Sequence, residues 1–371
     1  MLNSSEQTRY ARHLSLAEVG MAGQLQLKQA RVLVVGAGGL GCPILQYLAA
    51  AGVGTVGIVD DDTVALSNLQ RQVLYQVADI GQPKAAVAAA RLSALNPEIC
   101  LVPIVQRLNT HNILPLMEDY DWIIDGTDNF PTRYLINDAC TLLQKPLVFG
   151  AIHRFEGQVA VFHYQGGPSY RCLFPQAPPP EEAPNCAQAG VMGVLPGLVG
   201  TLMAAECLKM ILGIGQVLSG QLLSIDLLSG QQRSFSIRRN EDNFQRQALE
   251  ADYAAVCGLA PALPDGVQIS PTQLQAQLEA GVRLQLVDVR EAFEWDICHL
   301  AGSIHLPLGQ LPSRHPSLDP QLPTVLICHH GIRSMQALQY LRQQGDFRQL
   351  LNLTGGIEAW ASQIDHSMPR Y

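Results

Sequence analysis

The most constraining feature of the chain is a glycine-dense turn that follows an apolar run. Arg31–Val35 leads directly into Gly36-Ala37-Gly38-Gly39-Leu40-Gly41, and Ile44, Leu45, Leu48 and Ala49 follow at helical spacing. The pattern predicts a strand, a tight turn and a helix. Glycines in such a turn let the backbone approach a phosphate and aim a helix N-terminus at it. A second apolar run, Thr55–Val59, ends in Asp60, Asp61 and Asp62, completing a βαβ unit and implying a parallel sheet. Asp60 is placed to accept hydrogen bonds from a ribose, whereas Asp61 or Asp62 could simply cap a turn. On these residues alone a dinucleotide enzyme of the NAD type is the leading reading.

At 371 residues the chain exceeds one ordinary core and suggests a large and a small domain. Further strands are expected at 99–105, 122–125, 147–149 and 158–163, with helices at 82–94 and 131–144, giving a large doubly wound α/β sheet. Runs at 222–226 and 232–237, with Ser229-Gly230 between them, read as a terminal hairpin. The segment 238–265 mixes charges with Pro261 and Pro264 and lacks periodicity. The expected organisation is therefore a large α/β domain over 1–245, a linker over 246–266 and a small α/β domain over 267–371. In the last, helices are expected at 271–280 and 334–343, and strands at 284–289 and 324–328.

The uncharged stretch 186–205 has the length of a spanning helix. Gly190, Gly193, Pro196, Gly197 and Gly200 interrupt it, so a glycine-rich loop feeding a buried helix is expected, and no membrane association. The polar N-terminus lacks a secretory pattern. Nine cysteines without regular spacing argue for free thiols and, with that N-terminus, a cytoplasmic protein. The formal charge of −8 disfavours sequence-independent nucleic-acid binding.

Three later segments change the reading of the glycine turn: Ser67-Asn68-Leu69-Gln70-Arg71-Gln72, Gly81-Gln82-Pro83-Lys84 and Asp125-Gly126-Thr127-Asp128-Asn129-Phe130. In this order and spacing they closely resemble the ThiF/MoeB superfamily, the activating enzymes of ubiquitin-like proteins, over 9–237. The resemblance implies a Rossmann-like activating domain that uses ATP and Mg²⁺ to adenylate the C-terminus of a small ubiquitin-like sulfur carrier ending in Gly-Gly. Charge developing on the phosphoryl oxygens requires fixed cations, and Arg71 and Lys84 suit that task. Asp128 suits a Mg²⁺ that bridges phosphates. Asn129 lies beside it, and Gly36, Gly38, Gly39, Gly41, Asp60 and Ser67 complete the nucleotide set. By resemblance Arg12 and Asn68 join it, Arg71 reaches across a homodimer, and the site's catalytic residues are Arg71 and Asp128.

Cys186 follows a proline-rich stretch and precedes the glycine-rich loop; at this position the resembled family carries a cysteine that links covalently to the activated partner. Many members also hold zinc through two Cys-x-x-Cys pairs. Here the first pair falls on Ser169 and Cys172, and the second region, 252–257, offers only Cys257. Structural zinc needs four such ligands, so no structural zinc is expected.

In the second domain, residues 286–291, Glu294, 299–304, Cys328-His329-His330-Gly331-Ile332-Arg333-Ser334 and 355–360 closely resemble the rhodanese fold. A loop from a strand into a helix should aim successive backbone N–H groups at the Cys328 sulfur and, with Arg333, favour a thiolate or persulfide. Cys328 is the expected sulfur carrier, with Asp288 and Arg290 expected to serve the fold. The resemblances together imply a partner's acyl-adenylate converted to a thiocarboxylate by a Cys328 persulfide. A cysteine desulfurase or thiosulfate would supply the sulfur. A nicotinamide oxidoreductase and a non-catalytic scaffold are the alternatives.

Overall fold

The computed structural model describes residues 1–177, 190–257 and 266–371. It divides into two compact units, Met1–Pro261 and Ala262–Tyr371.

The first unit is built on an eight-stranded sheet: β1 (Arg31–Val35), β2 (Thr55–Val59), β3 (Cys100–Ile104), β4 (Trp122–Asp125), β5 (Leu147–His153), β6 (Glu156–Phe162), β7 (Gln221–Asp226) and β8 (Gln232–Ser236). Their order is β3-β2-β1-β4-β5-β6-β7-β8, parallel through β5 and antiparallel from there on. The order reverses direction between β1 and β4, and this switch point opens a crevice at the carboxyl ends of the strands. The glycine turn sits there, between β1 and helix α1 (Gly41–Ala51).

Strands β5 and β6 are longer than their sequence runs suggested and form one continuous hairpin. Gly150 and Gly157 interrupt the apolar pattern, and the packing explains both. A Cβ at Gly150 would lie 2.2 Å from Met203 Sδ, and one at Gly157 2.4 Å from Val199 Cγ2. Both residues belong to the helix Val194–Leu212, which crosses the hairpin and α1. That helix is long and apolar enough to span a bilayer by composition, yet Leu195, Val199, Met203 and Cys207 are fully buried in the core. Its buried Glu206 accepts the Leu218 N–H at 2.9 Å and pairs with Lys209, which satisfies the charge inside the fold.

Within the stretch expected as a linker, Arg246 and Tyr253 dock on the first unit. Both reach the fully buried Asp138, at 3.3 and 2.8 Å, where Arg171 already donates two bonds of 2.7 and 2.8 Å. The chain therefore stays packed on this unit at least to Cys257, which is buried.

The second unit is a five-stranded parallel sheet of β9 (Gln268–Ile269), β10 (Gln285–Asp288), β11 (Ile304–His305), β12 (Thr324–Ile327) and β13 (Leu350–Leu353), ordered β11-β10-β12-β13-β9. β12 ends immediately before Cys328, and the helix Ile332–Gln344 begins four residues later, two positions earlier than its periodicity suggested.

Candidate active sites

Close backbone contacts define the glycine turn of the first unit. Gly36 has φ +93°, and a Cβ there would come within 2.8 Å of Gly126 O; at Gly41 it would fall 2.0 Å from Gly36 O. No side chain fits either place. The turn is closed from beneath by Tyr75, whose hydroxyl donates to Ala37 O at 2.7 Å, and by Asp60, whose Oδ2 accepts the Ala37 N–H at 2.7 Å. Asp60 Oδ1 accepts the Asp62 N–H at 2.9 Å. Burial pushes the Asp60 carboxyl above its ordinary value, opposed by the charge of Lys84 and by these N–H bonds.

The two expected cations flank the turn. The Cδ of Arg71 lies 3.7 Å from where a Gly39 Cβ would sit, so Arg71 stands at the turn of its own chain rather than reaching into a neighbouring subunit as expected; its Nη1 donates to Ser67 O at 3.0 Å, and no carboxylate pairs with it among the described residues. Lys84, only 5% exposed, pairs with the exposed Asp62 at 2.9 Å. Asn68 accepts the Ala65 N–H and so shapes the short helical turn that carries Arg71. On the far side, Asp125 accepts both the N–H and the hydroxyl of Thr127, and Asn129 caps the helix Phe130–Leu143. Asp128, next to Asn129 in sequence, is exposed and unpaired among the described residues.

Gln72, beside Arg71, is a residue to which sequence patterns assign no role. It is 4% exposed, its Nε2 approaches Gly38 to 3.6 Å of a would-be Cβ, and its Oε1 has no hydrogen-bond partner. A buried oxygen left free is costly. A cradle without side chains and an unpaired guanidinium suit a phosphate group, whereas the orphaned Gln72 oxygen is an acceptor and calls for a hydroxyl or amino donor.

Arg12 lies elsewhere in the unit. Two residues before it, the Tyr10 hydroxyl accepts from Asn96, which also bonds Ala49 O near the end of α1. Helix α1 runs 11 residues, about 16 Å, from that end to the glycine turn. The exposed Arg12 thus sits at the far end of α1 from the site of its own chain. Cys186 lies outside the described residues.

The residues expected near a zinc site form a different cluster. Cys172 Sγ receives the N–H groups of Ser169 and Asn240 at 3.4 and 3.3 Å and Asn243 Nδ2 at 3.4 Å. Burial opposes ionisation of this thiol, but the hydrogen bonds outweigh it and hold the thiol below its ordinary value. The asparagines, rather than anything in 252–257, face the Ser169–Cys172 pair.

In the second unit Cys328 is 1% exposed, and its Sγ accepts the Gly331 N–H at 3.1 Å and the Ser334 hydroxyl at 3.2 Å. The loop is pinned at its back, where Ile357 N–H donates to Cys328 O at 2.9 Å and Glu358 N–H to His329 O at 3.2 Å. Gly356 permits this, since a Cβ there would sit 2.3 Å from both carbonyl oxygens. Two details differ from expectation. One backbone N–H and a hydroxyl reach the sulfur, not a run of N–H groups. Arg333 is spent on Glu294, with its two Nη atoms 2.6 and 2.5 Å from the carboxylate. Arg290, fully buried, binds Asp288 and the carbonyls of Glu294 and Cys298, so this pair organises the loop's surroundings.

Comparison with known proteins assigns a family to each unit. The model of the "ThiF family" matches residues 10–247 and that of the "Rhodanese-like domain" residues 270–363. The chain is 44% identical over 380 residues to a Mycobacterium tuberculosis protein named "Probable adenylyltransferase/sulfurtransferase MoeZ", covering all of this chain and 96% of that protein. It is 54% identical over 266 residues to the "Sulfur carrier protein adenylyltransferase" of Thermus thermophilus, covering 68% of this chain and 97% of that one. The crystal structure of E. coli MccB with ATP shares the fold, with a TM-score of 0.56 at 22% identity over 67% of this chain and 74% of that one. The chain belongs to the ThiF family and, with the rhodanese-like domain of its second unit, is an adenylyltransferase and sulfurtransferase.

Proposed function

We propose that the first unit adenylates the C-terminal glycine of a small ubiquitin-like sulfur carrier and that the second converts the product into a thiocarboxylate. The observation that carries the first half is the meeting of Arg71 and Lys84 at the glycine turn, two positive charges suited to a triphosphate. Membership in the ThiF family sets the nicotinamide reading aside. Bound ATP supplies the adenylyl group. Asp60 holds the ribose, Gly36 to Gly41 cradle the phosphates, and Arg71 and Lys84 take up the charge that develops as the partner's carboxylate displaces pyrophosphate. Asp128, free and exposed, would hold a Mg²⁺ that shields the phosphates.

Sulfur then reaches the acyl carbon from Cys328. The terminal sulfur of its persulfide attacks, AMP leaves, and an acyl disulfide links the partner to Cys328. A thiolate, for which Cys186 is the candidate, attacks the Cys328 sulfur and releases the thiocarboxylate; the resulting disulfide is reset by a thiol reductant. Cys186 could alternatively carry the partner as a thioester before transfer. A cysteine desulfurase or thiosulfate supplies the persulfide sulfur. The position of Arg12 supports a homodimer in which it completes the site of the partner subunit.

The test is exchange of labelled pyrophosphate into ATP, which should require a small protein ending in Gly-Gly. Failure with every such partner overturns adenylation. Thiocarboxylate formation that survives Cys328→Ser overturns the sulfur route.

A further inference from the structure

Two residues that the chemistry above does not use hold the sulfur loop from outside. The Tyr371 ring lies flat on His329, centroids 4.4 Å apart and planes 4° apart. Its hydroxyl accepts from Arg290 Nη1 at 2.6 Å and donates to Glu294 Oε1 at 3.2 Å. Glu294 grips Arg333, and the next residue, Ser334, donates its hydroxyl to Cys328 Sγ. Arg370 adds a second tie through Glu358, at 2.7 Å, and Glu358 N–H donates to His329 O.

Glu294 is 4% exposed, so its carboxylate has few ways to replace a lost donor. Without the Tyr371 hydroxyl, Arg290 Nη1 would keep only the Glu294 carbonyl at 3.3 Å. The carboxylate would then depend on Arg333 and the Glu291 N–H at 3.0 Å. Either loss frees Glu294 to shift, and Arg333 with it.

We infer that Tyr371 is a positioning residue for sulfur transfer, whose hydroxyl fixes Glu294 and, through Glu294 and Arg333, the loop around Cys328. The inference rests on the reading of Cys328 as sulfur carrier. With thiosulfate as the probe, the Cys328 thiolate attacks the outer sulfur and expels sulfite. The sulfur–sulfur bond of thiosulfate breaks as the persulfide bond forms, and no other oxidant or reductant is needed. The step requires the sulfur and its two donors to be held in register.

The experiment follows single-turnover loading of the full chain by thiosulfate, read as the mass of the Cys328 persulfide and as released sulfite. Tyr371→Phe keeps the ring on His329 and removes only the hydroxyl; it should slow loading about tenfold, the scale of a hydrogen bond to a charged group. Glu294→Gln should slow loading comparably, and adding Tyr371→Phe to it should cost less than about twofold more, because both act through one carboxylate. Tyr371→Phe should leave pyrophosphate exchange unchanged. Loading at the parental rate in Tyr371→Phe, or losses that multiply in the double variant, would overturn the inference. Sulfur uptake that persists in Cys328→Ser would instead sink the reading of Cys328 itself, a result the Tyr371 variants cannot mimic.

Discussion

At the scale of single residues, burial decides which charges are available for chemistry. Lys84 is nearly buried while its partner Asp62 has a side chain 72% exposed, so the lysine can turn from Asp62 to a phosphate at little cost. Lys84→Ala should lower partner-dependent pyrophosphate exchange by about a hundredfold or more, the scale of losing a transition-state electrostatic contact, with the unfolding midpoint barely moved. His329 shows the opposite use of burial. Its imidazole is pushed down to about 4, first by burial and then by His330, from an ordinary 6.5. The folded state disfavours the proton, so the neutral form's contribution to stability is complete above about pH 6.5. That contribution is lost as the pH falls toward 4, below which both states are protonated. The melting temperature of the second unit should therefore fall as the pH is lowered across that window, and His329→Gln should flatten the dependence.

Among the elements, glycines mark where one piece of backbone lies on another. Gly41→Ala would drive a methyl into Gly36 O, 2.0 Å away, so the turn should open. The expected result is loss of ATP binding by calorimetry, with a lowered unfolding midpoint in the same protein. The segment after β8 is held by charge. Asp138 serves Arg171, Arg246 and Tyr253 at once, and Asp138→Asn would leave Arg171 without its buried counter-ion. A loss of about 3 kcal/mol in chemical denaturation of the first unit is expected, the usual cost of stranding one partner of a buried pair.

On the scale of the whole molecule, Arg12 is the informative residue, because α1 separates it from its own glycine turn. If it serves the partner subunit, a chain carrying Arg12→Ala and one carrying Lys84→Ala should complement each other. In a mixed dimer one site would then hold both an intact Lys84 and an intact Arg12, and random reassortment should restore about a quarter of the sites. Mixing two inactive proteins would restore nothing if each Arg12 acts on its own chain. Sulfur loading of Cys328 should be indifferent to either substitution.

What was legible in the sequence was local. The strand, glycine turn and helix at 31–51, the nucleotide motifs and the Cys328 loop could be read because backbone conformation and short spacing set them. The same holds for the α/β class of both units. Packing decided the rest. Gly150 reads as the end of a strand until Met203 and the helix above it explain the missing side chain, and Asn240 lies 68 residues from Cys172 yet bonds its sulfur. Arg333 looked free for Cys328 until Glu294, 39 residues earlier, was found holding it. Periodicity and motif spacing report what a residue's chain neighbours allow. The partner a charged or sulfur-bearing group finally takes is set by distant segments brought into contact, and only the tertiary structure records that choice.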